Sequence, residues 1–268
     1  MESTAVDRPD EMRELWDLAL RAAHAGGRSV TGPAGRSGAV EWKSSPTDPV
    51  TRADRDSDAR IAALLSAERP EDGVLSEEAP ERPSASGLRW VVDALDGSVN
   101  YLYGISHFAV SVAVEERRGR DWTPVVGVVH DPVRRETFSA ARGAGAFRGG
   151  DRLRVSDPVP LPRALVATEF SYRADSRARQ ARAVSRILPA ARDIRSTGSS
   201  ALDLCWTAAG RFDGYYEDEL ERWDWAAGAL IVREAGGVTS ALGGGILAAG
   251  AAAHRELRAL LETPAGAP

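Results

Sequence analysis

Apolar positions recur every three to four residues in "PDEMRELWDLALRAAHAGG", where Met12, Leu15, Trp16, Ala19 and Ala22–Ala23 form one stripe ahead of a Gly-Gly pair. That period predicts an amphipathic helix stopped by glycine. A second stripe, Ile61, Leu64 and Leu65, lies in "RADRDSDARIAALLSAERP", beyond a Ser/Pro/Asp loop, "EWKSSPTDPVT". The pattern then shortens. "GVLSEEAPE" reads as a short strand running into an acidic loop, and "LRWVVDA", "HFAVSVAVEE", "PVVGVVHDP" and "RETFSAA" are Val-rich runs parted by turn residues. They predict a mostly antiparallel meander, with "EERRGRDW" as an exposed hairpin tip.

After "VSDPVPLPRA" the periods alternate. A strand "ALVATEF" precedes a helix through "SRARQARAVSRIL". "DIRSTGSSALDLCWTAAGRF" reads as strand, Gly-Ser turn and a helix capped by Ser. The strand "FDGYYE", the helix "RWDWAAGALIVREAGG", two short strands and a helix "AHRELRALLE" complete the chain. Helices, then an antiparallel sheet, then alternating strands and helices predict a layered α/β (α+β) chain. We place its two lobes at residues 1–158 and 159–268, fused as one unit without a linker.

A chain of 268 residues can bury a sizeable core. A net charge of -5 argues against a general nucleic-acid binder. Cys205 is the single cysteine, which excludes an intrachain disulfide and a cysteine zinc site and suits a core helix position. No apolar run approaches the roughly 18 residues of a membrane span. "MESTAVDRPDEMRELW" lacks the features of a signal peptide, so a cytoplasmic location is expected. Of 34 basic residues only Lys43 is lysine, which either reflects coding bias or marks a place that a guanidinium does not fit.

The candidate chemistry is acidic. Asp54, Glu77–Glu78, Asp93–Asp96 and Asp224 stand beside apolar sequence, at strand ends or helix starts. Any one pair by itself reads more readily as surface acids. Gathered in a cleft, carboxylates repel and are costly to desolvate, and a divalent cation removes that cost. Oxygen donors select a hard ion such as Mg²⁺. "WVVDALDGSVNY" (Trp90–Tyr101) is not an EF-hand, because Val92 and Ala94 fill positions that need acids, and it is Asp-x-x-Asp rather than the Asp-x-Asp of aspartyl-phosphate enzymes. Its two acids bracket the Leu95 carbonyl, and Gly97 and Ser98 follow with backbone N–H groups suited to an anion.

Those residues carry a resemblance. "DALDGSVNY" resembles the first signature of the inositol monophosphatase family, Asp-Pro-x-Asp-Gly-Thr-x-Asn-Phe/Tyr, and "WDWAAGALIVREAGG" resembles the second. "KSSPTDPVTRAD", "LSEEAP", "IRSTGSSAL" and "FDGYYE" are similar to further family segments in the same order. The resemblance implies an alternating αβαβα sandwich and a Mg²⁺-dependent phosphatase with two or three ions per site. It implies metal ligands at Glu77, Asp93, the Leu95 carbonyl, Asp96 and Asp224, and a phosphate-binding turn at Gly97 and Ser98. Glu77 with Ser98 would position or deprotonate the attacking water, and Asp54 matches a catalytic acid near that water and at a further metal site. Asp96, Gly198, Ser199, Ser200, Glu217 and Asp224 would contact the substrate, and Lys43 falls on the family's loop lysine.

Ala94, Ser98 and Ser76 depart from the family's Pro, Thr and Gly. Ala94 frees φ and adds an N–H, Ser98 keeps the hydroxyl but loses a methyl, and weaker metal preorganisation is expected, on the order of 1 kcal/mol. A small phosphorylated polyol or sugar is the expected partner, inositol 1-phosphate first. Histidinol phosphate, fructose 1,6-bisphosphate, 3′-phosphoadenosine 5′-phosphate and a modified cyclitol phosphate stay open. So does a binding or regulatory protein that keeps the fold. The resemblance also implies a homodimer. Glu78 is expected to be solvated or to support the ligands, and Trp223 and Trp225 to pack. Tyr215, Tyr216, His107 and His130 are expected to be strand residues.

Overall fold

The computed structural model describes residues 9–31, 41–42 and 49–262; Lys43 lies outside them. The first helix, α1 (Pro9–Val30), runs through its glycines instead of stopping there. Gly26 and Gly27 keep negative φ, and a Cβ on either would meet Ser57 at 2.7 Å or His130 at 2.6 Å. The pair therefore serves close packing rather than termination.

The ends of the predicted Ser/Pro/Asp loop pair as two-residue antiparallel strands, β1 (Glu41–Trp42) and β2 (Pro49–Val50). Thr51 then caps α2 (Arg52–Glu68) in a capping box closed by Asp54. The buried face of α2 changes character along its length. Ile61 and Leu65 are apolar, whereas Asp54, Ser57 and Asp58, nearer its start, are polar. A polar buried face at one helix end marks where the core gives way to a site.

Seven strands follow in order across one sheet: β3 (Gly73–Ser76), β4 (Leu88–Asp96), β5 (Ala109–Arg118), β6 (Asp121–Asp131), β7 (Glu136–Ala141), β8 (Gly145–Arg148) and β9 (Asp151–Arg152). β3 pairs parallel with β4 and every other neighbour is antiparallel, so the predicted meander forms. The last two strands, too short for a period, were not legible in the sequence. A six-residue helix, α3 (Ser98–Tyr103), interrupts the path between β4 and β5.

The second sheet has the order β11-β10-β12-β14-β13, from β10 (Leu165–Thr168), β11 (Asp193–Arg195), β12 (Gly214–Glu217), β13 (Val238–Leu242) and β14 (Gly245–Ala249). β10 is parallel to both β11 and β12. Its helices are α4 (Ala174–Ile187), α5 (Ser200–Ala208), α6 (Arg222–Glu234) and α7 (Ala251–Glu262).

Three apolar clusters set five layers. Leu15, Ala22, Ile61 and Leu65 of α1 and α2 pack on Trp90, Val92, Val112 and Val128 of the first sheet. Leu202, Leu204, Ala227 and Ile231 of α5 and α6 fill the space between the sheets, against Val91, Ala113, Tyr215 and Ala248. Ile187, Ala253 and Leu257 of α4 and α7 cover Val166, Tyr216 and Leu247 on the outer face. The result is an alternating αβαβα sandwich.

Candidate active site

The segment that ends β4 shows why acids three apart come to share one face. Asp93 pairs with Ser111 and Asp96 with Ala109, so β4 spends three steps where β5 spends two. That is a β-bulge with one extra residue. Without it, residues an odd number apart would point to opposite faces. Ala94 and Leu95 both join the cluster beneath α1 and α2, which returns Asp96 to the side of Asp93. The bulge is tied down twice: Ser57 Oγ donates to the Ala94 carbonyl at 2.8 Å, and the Leu95 N–H donates to Asp93 Oδ1 at 3.0 Å.

Other elements bring the remaining acids. Asp224 sits in the first turn of α6, where its Oδ2 accepts the Glu221 N–H at 2.7 Å. Glu77 follows β3, and Ser76 before it donates to the buried Asp58 of α2. Burial and the nearby charges of Glu77, Asp96 and Asp224 push the Asp93 carboxyl well up from its usual range. Burial, Glu77 and Asp96 do the same to Asp224. Asp96 is pushed up to about 6 by burial, although Ser199 Oγ at 2.5 Å and the Ala201 N–H at 2.8 Å both donate to its Oδ2.

The donor set suits a hard divalent cation: four carboxylates and a carbonyl, with Asp93 and Asp224 raised by burial and by the charges of their neighbours. Among the described residues, no three His, Cys, Asp or Glu side chains already close into a metal-ligand cluster.

Beside these acids, Asp54 Oδ1 accepts the Ser98 hydroxyl at 2.6 Å, and the Leu95 carbonyl lies 3.0 Å from the same Oγ. Asp54 is fixed from its other oxygen by the Thr51 N–H at 2.8 Å and hydroxyl at 2.5 Å. Gly97 adopts φ +96 and Gly198 φ +91. A Cβ on Gly97 would lie 2.9 Å from the Gly198 carbonyl oxygen, and one on Gly198 would lie 2.4 Å from Asn100 Nδ2. Only glycine permits both the backbone conformation and the approach. The two turns, one from each half of the chain, are thus seated on each other.

Ser199 caps α5, and Ser200 Oγ donates to Glu217 Oε2 at 3.0 Å, as does the Tyr215 hydroxyl at 2.5 Å. Burial pushes Glu217 up to about 8. With Glu169, Glu217 also lines a cavity of about 250 Å³ beneath α4.

The sequence reading omitted Glu169, Thr197 and Asp203. Glu169 accepts from Ser196, Thr197 and Gly198, and Asp203 from Thr197. Glu169 directly follows the apolar strand "LVAT", the same signal that drew attention to Asp93 and Asp96. His107 lies in the segment before β5 rather than in a strand, its Nε2 2.9 Å from Thr197 Oγ1. The core positions expected for Cys205, Tyr215 and Tyr216 are observed, and Trp223 and Trp225 pack partly buried on the middle cluster.

Residues 11–264 match the sequence profile of the inositol monophosphatase family. An inositol-1-monophosphatase of Mycobacterium bovis is 43% identical over 208 residues, covering 74% of this chain and 70% of that protein. The Nus factor SuhB of Escherichia coli K12 is 38% identical over 237 residues, covering 87% of each. The crystal structure of the extragenic suppressor protein suhB from Bartonella henselae superposes with a TM-score of 0.86 at 36% identity, over 93% of this chain and 99% of that one. The fold, the order of the acidic segments and these likenesses agree: the chain belongs to the inositol monophosphatase family.

Proposed function

We propose that this chain is a Mg²⁺-dependent phosphatase acting on a small phosphate monoester, with inositol 1-phosphate as the leading substrate. The β4 bulge carries the reading, because it sets Asp93 and Asp96 on one face within electrostatic reach of Asp224 and Glu77. Glu77, Asp93, the Leu95 carbonyl, Asp96 and Asp224 would hold the cations. When bound, Mg²⁺ supplies a water of lowered pKa and neutralises charge on the phosphate and the leaving oxygen.

The chain's own groups do the rest. Asp54 takes the Ser98 hydroxyl proton as a hydrogen bond, which leaves the Ser98 lone pairs to accept from the attacking water. Glu77 takes that water's proton. The Gly97 and Ser98 N–H groups receive the phosphate, and Gly198, Ser199, Ser200 and Glu217 receive the polyol hydroxyls. No phosphoenzyme is expected in this reading, because water is the nucleophile. The name of the Mycobacterium relative supports inositol 1-phosphate over histidinol phosphate. A cytoplasmic homodimer is part of the same proposal. The Nus factor name of the Escherichia coli relative favours a second reading, a binding role in transcription on this scaffold.

Phosphate release by malachite green, with and without Mg²⁺, tests the proposal on inositol 1-phosphate, histidinol phosphate, fructose 1,6-bisphosphate and 3′-phosphoadenosine 5′-phosphate. Mg²⁺-dependent release fastest on inositol 1-phosphate is expected. No release on any of them rejects catalysis and leaves the binding role.

A further inference from the structure

Behind the turn that carries Ser199 and Ser200 lie two acids with no arginine partner among the described residues. Glu169, the first residue after β10, accepts three donors from one turn: the Thr197 N–H at 2.5 Å, the Gly198 N–H at 2.6 Å and the Ser196 hydroxyl at 2.7 Å. Asp203, on α5, is fully buried. Its Oδ1 accepts the Thr197 hydroxyl, while its Oδ2 receives no donor from the groups around it. Both acids converge on Thr197, Glu169 at its N–H and Asp203 at its hydroxyl, which brings the two carboxyls together.

Two carboxylates in contact inside a protein cannot both be charged, and they titrate as a pair. One proton between them satisfies every atom. Three donors aimed at Glu169 favour the charge there, so the proton belongs on Asp203 Oδ2. The adjoining chain agrees in polarity. Burial holds His107 below its usual pKa and therefore neutral, so its Nε2–H donates to Thr197 Oγ1, which donates to Asp203 Oδ1. Burial pushes Glu169 up to about 7 and Asp203 up to about 8.

We propose that Glu169 and Asp203 share a single proton and act as one positioning unit, which holds the Thr197–Gly198 turn against the Gly97 turn and so sets Ser199 and Ser200 on Asp96 and Glu217. The clamp has two sides. Glu169 pulls the turn from behind, and Asn100 Nδ2 holds its front, donating to the Thr197 carbonyl at 2.7 Å and the His107 carbonyl at 2.8 Å. With Gly97 and Gly198 in contact there is no slack, and small misplacements of binding groups are costly in rate. The kinetic consequence rests on the phosphatase reading; the shared proton does not.

The test has two arms, both on the full chain. Difference infrared spectroscopy at neutral pH should show a protonated-carboxyl C=O stretch that disappears in Asp203→Asn. In the kinetic arm, Asp203→Ala and Glu169→Ala should each lower kcat/KM by at least about 10-fold, mainly through KM. Asp203→Asn should recover most of the loss, because an amide N–H replaces the carboxyl O–H. Glu169→Gln should recover less, because it removes the negative charge that the three donors face. No band change in Asp203→Asn, or equal rescue by both amides, would overturn the proposal. If the wild type releases no phosphate, the functional reading fails and the infrared arm still decides. If a variant does not fold, the infrared comparison of wild type with Asp203→Asn decides.

Discussion

Two neighbouring groups of buried and half-buried acids in this molecule are stabilised in opposite ways. At the rim of the first sheet, Asp93 and Asp224 have one local backbone donor each, and each feels the negative charge of Glu77 and Asp96. At the end of the second sheet, Glu169 has three donors, Glu217 has two hydroxyls, and Asp203 sits against Glu169. Burial raises the pKa in both groups. Protons and fixed dipoles answer it in the second, whereas the first retains mutual repulsion that a cation would relieve. Asp96 joins them: it belongs to β4 but takes its donors from α5.

The largest effect expected from this contrast is at Asp93. Asp93→Asn should lower phosphate release more than about 100-fold. It should also raise the melting temperature of the metal-free protein by about 2–4 °C, because the cost of burying or protonating that carboxyl is removed. Retained turnover, or a lower melting temperature, would break the contrast.

Ser98 comes next. Ser98→Ala removes the hydroxyl that Asp54 orients and should lower kcat about 100-fold, while Ser98→Thr should keep it. Saturating kinetics on inositol 1-phosphate measures this, and an alanine variant at wild-type kcat would remove Ser98 from the reaction.

The second group predicts a pH dependence. Glu217 and the Glu169–Asp203 pair each keep one proton in the fold up to about 8, which the unfolded chain releases near ordinary carboxylate values. The native state then binds more protons than the unfolded state, so stability falls as pH rises through that window. His24, His107, His130 and His254, all lowered, act in the opposite direction only below about 6.5. Urea unfolding of the metal-free chain should therefore show decreasing stability from about pH 6.5 to 9. A flat or rising profile would mean that these acids are already ionised in the fold.

The smallest effect concerns a departure from the family pattern. Ser76 donates to buried Asp58, so Ser76→Gly should cost about 1–2 kcal/mol of stability and leave phosphate release unchanged. Lost turnover would assign Ser76 to the site rather than to its support.

Much of this architecture was legible before folding was considered. The 3.6-residue stripes of α1 and α2, the Val-rich meander and the alternation after residue 158 all form where the periods place them. Gly26–Gly27 misled because a glycine pair can end a helix or let a neighbour approach, and only the position of Ser57 and His130 distinguishes the two. β8 and β9 carry too few residues for any period to show. His107 reads as a strand residue in the sequence because the apolar run "FAVSVAV" begins directly after it.

Acids at strand ends, the Gly97–Ser98 turn and the family likeness are properties of single segments, and the sequence alone determined them. Pairings between distant segments are not. The extra residue in β4, the contact of Asp203 with Glu169 and the seating of Gly198 on Gly97 depend on register and on how closely two sheets and their helices pack. Burial then sets which carboxylate holds a proton and which calls for a cation. That balance belongs to the tertiary structure, because desolvation and charge–charge repulsion depend on distance in space rather than on position in the chain.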